Sequence, residues 1–250
     1  MAPILATRGL GLDIGGATIV ADVSLEVMEG EFVGIIGPNG AGKTSLFNLL
    51  SGLYRPTAGT VELDGRDITH APPYRRSEAG IGRTFQVSSV FPRLSVLENV
   101  RLAAEARLGG AMRPWRRAGR VREAVERARR ALERVGLGRR EGAVAGALAH
   151  GDKRKLELAM LLAADPRVIL LDEPMAGVSA ENVPELTDVI RSVQRDEGKT
   201  VLMVEHHIDV VTGLAERIAV MHHGSLLAVD TTENVLRNEQ VQAAYLGEPL

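Results

Sequence analysis

The chain has 250 residues, 45% of them hydrophobic, enough to bury one large core or two smaller ones. Lysine and arginine number 30 against 32 aspartates and glutamates, a net charge of −2, so no global field marks a nucleic-acid binder. Cysteine is absent, which excludes disulfides and thiolate metal sites and suits a reducing compartment.

No run of about 18 apolar residues occurs, so no membrane span is expected. The N-terminal MAPILATRGLGLDIGG has no basic flank leading into a long apolar stretch, so no secretory signal is expected either. In chain order, ATIVADVSLEV (17–27) alternates at Val23, Leu25 and Val27 and predicts a half-buried strand. MEGE follows as a turn. EFVGII (31–36), an apolar run between glycines, suits a buried parallel strand. TSLFNLLSGL (44–53) has helical spacing at Leu46, Leu49, Leu50 and Leu53. GTVELDG (59–65) predicts a strand ending in the hairpin signal Asp64-Gly65.

A helical pattern runs from about 94 to 164. Its segment 101–140 carries thirteen arginines against four glutamates, a local charge of +9. Such a run is read either as a solvated face with i,i+4 pairs such as Glu123–Arg127 and Glu126–Arg130, or as a face toward anionic lipid or a membrane partner. Beyond residue 164, RVILL (167–171) and TVLMV (200–204) predict strands with a helix at 181–195 between them. That strand–helix–strand unit implies a parallel sheet and an α/β fold. RIAVM (217–221) and SLLAV (225–229) flank a turn at His222-His223-Gly224, and the terminal TENVLRNEQVQAAYLG is helical.

GPNGAGKT (37–44) matches G-x-x-x-x-G-K-[ST] and sits between a predicted strand and a predicted helix, the context such a phosphate loop requires. Gly37, Gly40 and Gly42, with Pro38, Asn39 and Ala41 between them, let backbone amides curl toward phosphate oxygens. The helix that starts with Lys43, Thr44 and Ser45 places its positive end there. Lys43 would reach the β- and γ-phosphates of ATP, and Thr44 would ligate Mg²⁺.

VILLDEP (168–174) is an apolar strand ending in two carboxylates. In phosphate-loop enzymes the first, here Asp172, holds Mg²⁺. Glu173 at the strand tip could deprotonate an attacking water; by itself, Asp-Glu-Pro could also simply end a strand. His206, closing TVLMVEHH (200–207), would lie beside the γ-phosphate if its strand neighbours the one ending at Asp172, and is otherwise a surface histidine. Gln86, in GRTFQ (82–86), means little in isolation.

Taken in order, GPNGAGKT, Gln86, LAHGD (148–152), VILLDEP and His206 resemble the ATP-binding cassette (ABC) ATPases over essentially the whole chain. The resemblance implies a phosphate-loop cassette with a RecA-like parallel-sheet core, an antiparallel β subdomain and a helical subdomain. One domain would span 4–250, with a catalytic core at about 4–86 and 166–230, helices at about 87–165 and a helical tail at about 231–250. The family signature reads Leu-Ser-Gly-Gly-Gln. Here Leu148 and Gly151 match, while Ala149, His150 and Asp152 replace serine, the first glycine and glutamine. In the family this segment caps the γ-phosphate of an ATP held by the opposite subunit. Ala149 lacks the hydroxyl that would donate to it, leaving backbone amides, Gly151 and a helix expected to begin near Asp152 with Asp152 as its N-cap. The charge of Asp152 would be offset by Lys153, Arg154 and Lys155. In the family an aromatic residue usually precedes the first long strand to stack on adenine; here that position falls near Ile14, so an apolar rather than a stacked contact with adenine is expected. Ser179 stands where many cassettes have aspartate.

IGRTFQ, LAHGDKRKLELAMLLAADP, DEPMAGVS, VEHHIDVV and AYLGEPL resemble the longer of the two ATPase subunits of bacterial branched-chain amino-acid importers. That likeness implies two cassettes sandwiching two ATP, with Glu173 as general base, His206 as γ-phosphate switch and Gln86 sensing Mg²⁺ and water. The partners it implies are a second cassette (a heterodimer, or a homodimer in isolation), two transmembrane permease subunits and, indirectly, a periplasmic binding protein, with no nucleic acid. The location it implies is the cytoplasmic face of the inner membrane. Urea or short-chain amides are alternative cargoes. A soluble cassette ATPase, a non-hydrolysing nucleotide-binding module and a lipopolysaccharide exporter are alternative readings.

Overall fold

The computed structural model describes residues 2–84, 90–108 and 117–246. They form two compact units. The first comprises Val168–Glu173 and the described parts of Met1–Ile81 and Val193–Leu250; the second comprises the described parts of Gly82–Arg167 and Pro174–Ser192.

The first unit opens with β1 (Leu5–Ile14) and β2 (Ala17–Val27), an antiparallel pair. The strand β3 (Phe32–Ile36) is buried at every position and leads into helix α1 (Lys43–Ser51). The strands β4 (Ala58–Leu63) and β5 (Arg66–Asp67) follow as a hairpin. Its two turn residues, Asp64 at φ 52° and Gly65 at φ 69°, both have left-handed backbone, as a type I′ turn requires. These strands make an antiparallel sheet in the order β2-β1-β4-β5. Helix α2 (Pro73–Ala79) and the short β6 (Ile81–Arg83) come next.

Sequence periodicity does not reveal β1, and the structure shows why. Its pairing with β2 shifts register between Thr7 and Leu10, between Leu10 and Leu12, and between Leu12 and Asp13. Each bulge breaks the period-two alternation that identifies a strand.

Three helices dominate the second unit: α3 (Val96–Arg107), α4 (Arg117–Arg134) and α5 (His150–Ala163). Ser95 caps α3, its hydroxyl accepting from Glu98 N, in the Ser-x-x-Glu pattern that starts helices. Ala124, Ala128, Ala131 and Leu132 form one buried face of α4, spaced by three or four residues. The arginines of this region are largely paired locally. Arg101 pairs with Glu98 and Glu105, Arg127 with Glu123, Arg129 with Glu141 and Arg140 with Asp152. The expected Glu126–Arg130 pair is replaced by Arg122–Glu126, at 3.3 Å.

The chain then supplies β7 (Val168–Asp172), α6 (Val183–Glu197), β8 (Thr200–Val204), α7 (Ile208–Leu214), β9 (Arg217–His222) and β10 (Ser225–Thr231). The main sheet runs β10-β9-β3-β8-β7-β6. The strands β3, β7, β8 and β9 pair in parallel, and β10 is antiparallel to β9 across the His222-His223-Gly224 turn. Val33, Ile35, Leu46, Phe47, Leu170 and Leu202 belong to the core of this unit. The expected single C-terminal helix is two, α8 (Thr232–Arg237) and α9 (Glu239–Leu246). Asn238 divides them because its side-chain oxygen accepts from Gln240 N and Val241 N and starts α9 afresh. Among the described residues no helix is long and apolar enough to cross a membrane.

Candidate nucleotide site

The site lies at the C-terminal edge of the parallel strands, where open α/β sheets bind ligands. After β3 the chain turns through residues 37–42 into α1. Gly42 has φ 95°, and a Cβ there would stand 2.8 Å from the carbonyl oxygen of Ile19. At Gly37 a Cβ would stand 2.2 Å from the carbonyl oxygen of Met221. The loop therefore takes its path only with glycine at both positions.

Lys43 is 6% exposed, and its ammonium donates to the carbonyls of Gly37 at 2.7 Å and Pro38 at 2.9 Å. Burial lowers its pKa, and the charges of Glu173 and then Asp172 oppose that shift. Residues 39–45 join Ile19, Glu173 and His206 around a cavity of about 330 Å³. The first amides of α1 have no partner within the helix, which makes this end an anion site.

Asp172 ends β7, 1% exposed, and pairs in parallel register with Val204 of β8. The condition set for His206 therefore holds, since its strand is the neighbour of the one ending at Asp172. Glu173 N donates to Val204 O at 2.9 Å, and His206 Nε2 lies 2.9 Å from Glu173 Oε1. Glu173 has left-handed backbone, φ 49°. Sequence reasoning passed over Glu205. It is 2% exposed, and its Oε2 accepts from His206 N at 2.8 Å and, more weakly, from His207 N at 3.4 Å. The signal was there to read: a carboxylate closing an apolar strand just before the histidine.

Among the described residues no cluster of three or more histidines and carboxylates could enclose a metal. The Thr44 hydroxyl and the buried Asp172 carboxylate fit Mg²⁺ differently. This ion takes one or two protein oxygens and completes its shell with phosphate and water. Gln86 lies outside the described residues. Ile14 is 50% exposed at the β1–β2 turn, and it is Ile19, with Ala41, that lines the cavity.

In the second unit Leu148 is buried and precedes α5. The helix begins at His150, not near Asp152, and Ala149 occupies the N-cap position without a side-chain bond. Asp152 is therefore the third helical residue, favourable near the positive helix end, and Arg140 pairs with it at 2.6 Å. The expected neutralisation by Lys153, Arg154 and Lys155 does not form: Arg154 pairs with Glu157 at 2.9 Å and Lys155 with Glu185 at 2.5 Å.

A parallel sheet edged by a glycine loop, a buried lysine and strand-end carboxylates defines a phosphate-loop nucleotide-binding fold. Residues 20–176 match the ABC transporter family, and the chain belongs to it. It is 40% identical over 253 residues to the high-affinity branched-chain amino acid transport ATP-binding protein LivG of Salmonella typhimurium, covering 98% of each. It is also 37% identical over 245 residues to the lipopolysaccharide export system ATP-binding protein LptB of Haemophilus influenzae, again covering 98% of each. The ADP conformation of MJ1267, an ATP-binding cassette of an ABC transporter, superposes with a TM-score of 0.85 at 29% identity, over 99% of this chain and 100% of that one.

Proposed function

We propose that this chain is the ATP-hydrolysing subunit of an importer for branched-chain amino acids or closely related amino acids and amides. It would work at the cytoplasmic face of the inner membrane. The observation that carries the reading is the meeting of Lys43, Glu173 and His206 around one cavity, in a chain similar to LivG over 98% of both lengths.

The loop amides and Lys43 hold the phosphates of ATP. Glu173 accepts a proton from the water that attacks the γ-phosphorus, and the bond to the β-phosphate oxygen breaks to leave ADP and phosphate. His206 donates to Glu173 and holds that carboxylate in place. Thr44 and Asp172, with Gln86, would hold Mg²⁺, which supplies charge against that building on the phosphate oxygens. In this reading the signature of one cassette, Leu148 to Asp152, completes the site of a second, and the pair drives two permease subunits served by a periplasmic binding protein.

Glu173→Gln keeps the shape of the side chain and removes the base. It should abolish turnover while ATP still binds; normal hydrolysis would remove Glu173 from its role. Cargo is tested by gentle solubilisation of membranes and identification of what purifies with the tagged chain. Two permeases, a second cassette and a linked amino-acid binding protein support import. Recovery with lipopolysaccharide-export components favours the second reading, which the likeness to LptB motivates. Recovery from the cytosol alone, or with ribosomes or DNA, overturns both.

A further inference from the structure

The histidine that replaces glycine in the signature does not reach out for phosphate. His150 Nε2 lies 3.3 Å from the carbonyl oxygen of Ala176. A carbonyl can only accept, so the nitrogen facing it carries the proton. The ring also covers Gly177, where an added Cβ would stand 2.4 Å from Nε2 and 2.6 Å from Cδ2. Gly177 has φ 72°, and the bare backbone beneath the imidazole makes room for it. A second proximity points the same way: a Cβ added to Gly151 would stand 3.8 Å from Asn182 Nδ2, and that amide donates to Ser179 Oγ at 2.8 Å. The signature turn thus faces the loop that leaves Glu173, and Ala176 lies only three residues beyond that carboxylate.

We propose that His150 is a positioning residue that ties the signature turn to the loop following the general base. Phosphate captured by the signature for one ATP would, through this tie, set the loop that carries the base of the other. The inference rests on the signature reading above and deepens it. It gives His150 a role at the loop where Ser179 stands in place of the usual aspartate.

The test uses the purified transporter complex and its ATPase rate. His150→Gly should lower kcat about three- to tenfold, the worth of one neutral hydrogen bond, while KM for ATP changes less than about twofold. His150→Gln, which keeps an N–H donor, should recover most of the loss. Gly177→Ala should push the exposed ring aside and mimic His150→Gly. The double variant should then be no slower than Gly177→Ala alone, because the backbone strain at position 177 is common to both and cancels in the cycle. Multiplied losses in the double variant, or an unchanged kcat in His150→Gly, would overturn the tie. Gly151→Trp separates the two failures. If it hydrolyses ATP at the native rate, the signature reading falls and the tie with it; if it is inactive while the cycle multiplies, only the tie falls.

Discussion

Lys43 shows how closely the charges of the site depend on one another. Burial lowers its pKa, and the charges of Glu173 and Asp172 oppose that shift. Asp172→Asn removes one of those opposing charges, so the pKa of Lys43 should fall further. Phosphate is held best by the charged amine. Mg²⁺-free ATP binding should therefore weaken with rising pH at a lower pH in Asp172→Asn than in the native chain. Titration of affinity against pH checks this, and coincident profiles would refute it. Ala149→Ser restores a hydroxyl at the signature and should raise ATPase activity by up to roughly tenfold. A large loss instead would mean that position 149 does not face phosphate. These residues were legible because each motif is a short contiguous string. The contact of His150 with Ala176 was not, because it depends on segments that the chain brings together only on folding, whereas Glu205 was legible from its place just before His206.

At the scale of elements, Arg76 of α2 joins pieces far apart in sequence. It is buried and donates to Leu49 O at 2.6 Å and Leu50 O at 2.8 Å in the last turn of α1, and to Thr69 O at 2.8 Å and Ala71 O at 3.0 Å. Burial pulls its pKa down to about 10, still well above neutral, so all four donors are present at physiological pH. Arg76→Met takes them from buried carbonyls and should cost about 3 kcal/mol, lowering Tm by roughly 10 °C in a chain of this size. A shift under about 2 °C in calorimetry would contradict this account. Nothing local marks Arg76, one of three basic residues in a polar stretch. The strands β3, β7 and β8 were legible because continuous apolar runs have little alternative to a buried parallel sheet. The start of α5 was misplaced because Asp152 has the chemistry of a cap, while the backbone turns helical two residues earlier.

For the whole molecule, α/β class and parallel sheet followed from alternating strands and helices. The two units interleave along the chain, each drawing on separate stretches of sequence. No local pattern announces such an arrangement. The basic stretch was the place where sequence left two readings open. Arg101, Arg129 and Arg140 meet Glu98, Glu141 and Asp152 from outside the stretch, so at least three of its nine net charges are answered within the fold.

Five described residues other than glycine have positive φ, and four of them are Asp22, Asp64, Asp165 and His223, types that enter this region readily. The fifth is Glu173, which does not. The chain thus holds the proposed base in a conformation it would abandon if stability alone were selected. Glu173→Ala and Glu173→Gly both delete the carboxylate, and only glycine relaxes the backbone. The glycine variant should unfold at the higher temperature, by about 1 kcal/mol of stability, though neither turns over ATP. Equal Tm values would show the strain to be absent. The substitution that would relax this backbone is the one that removes the carboxylate the proposed chemistry needs.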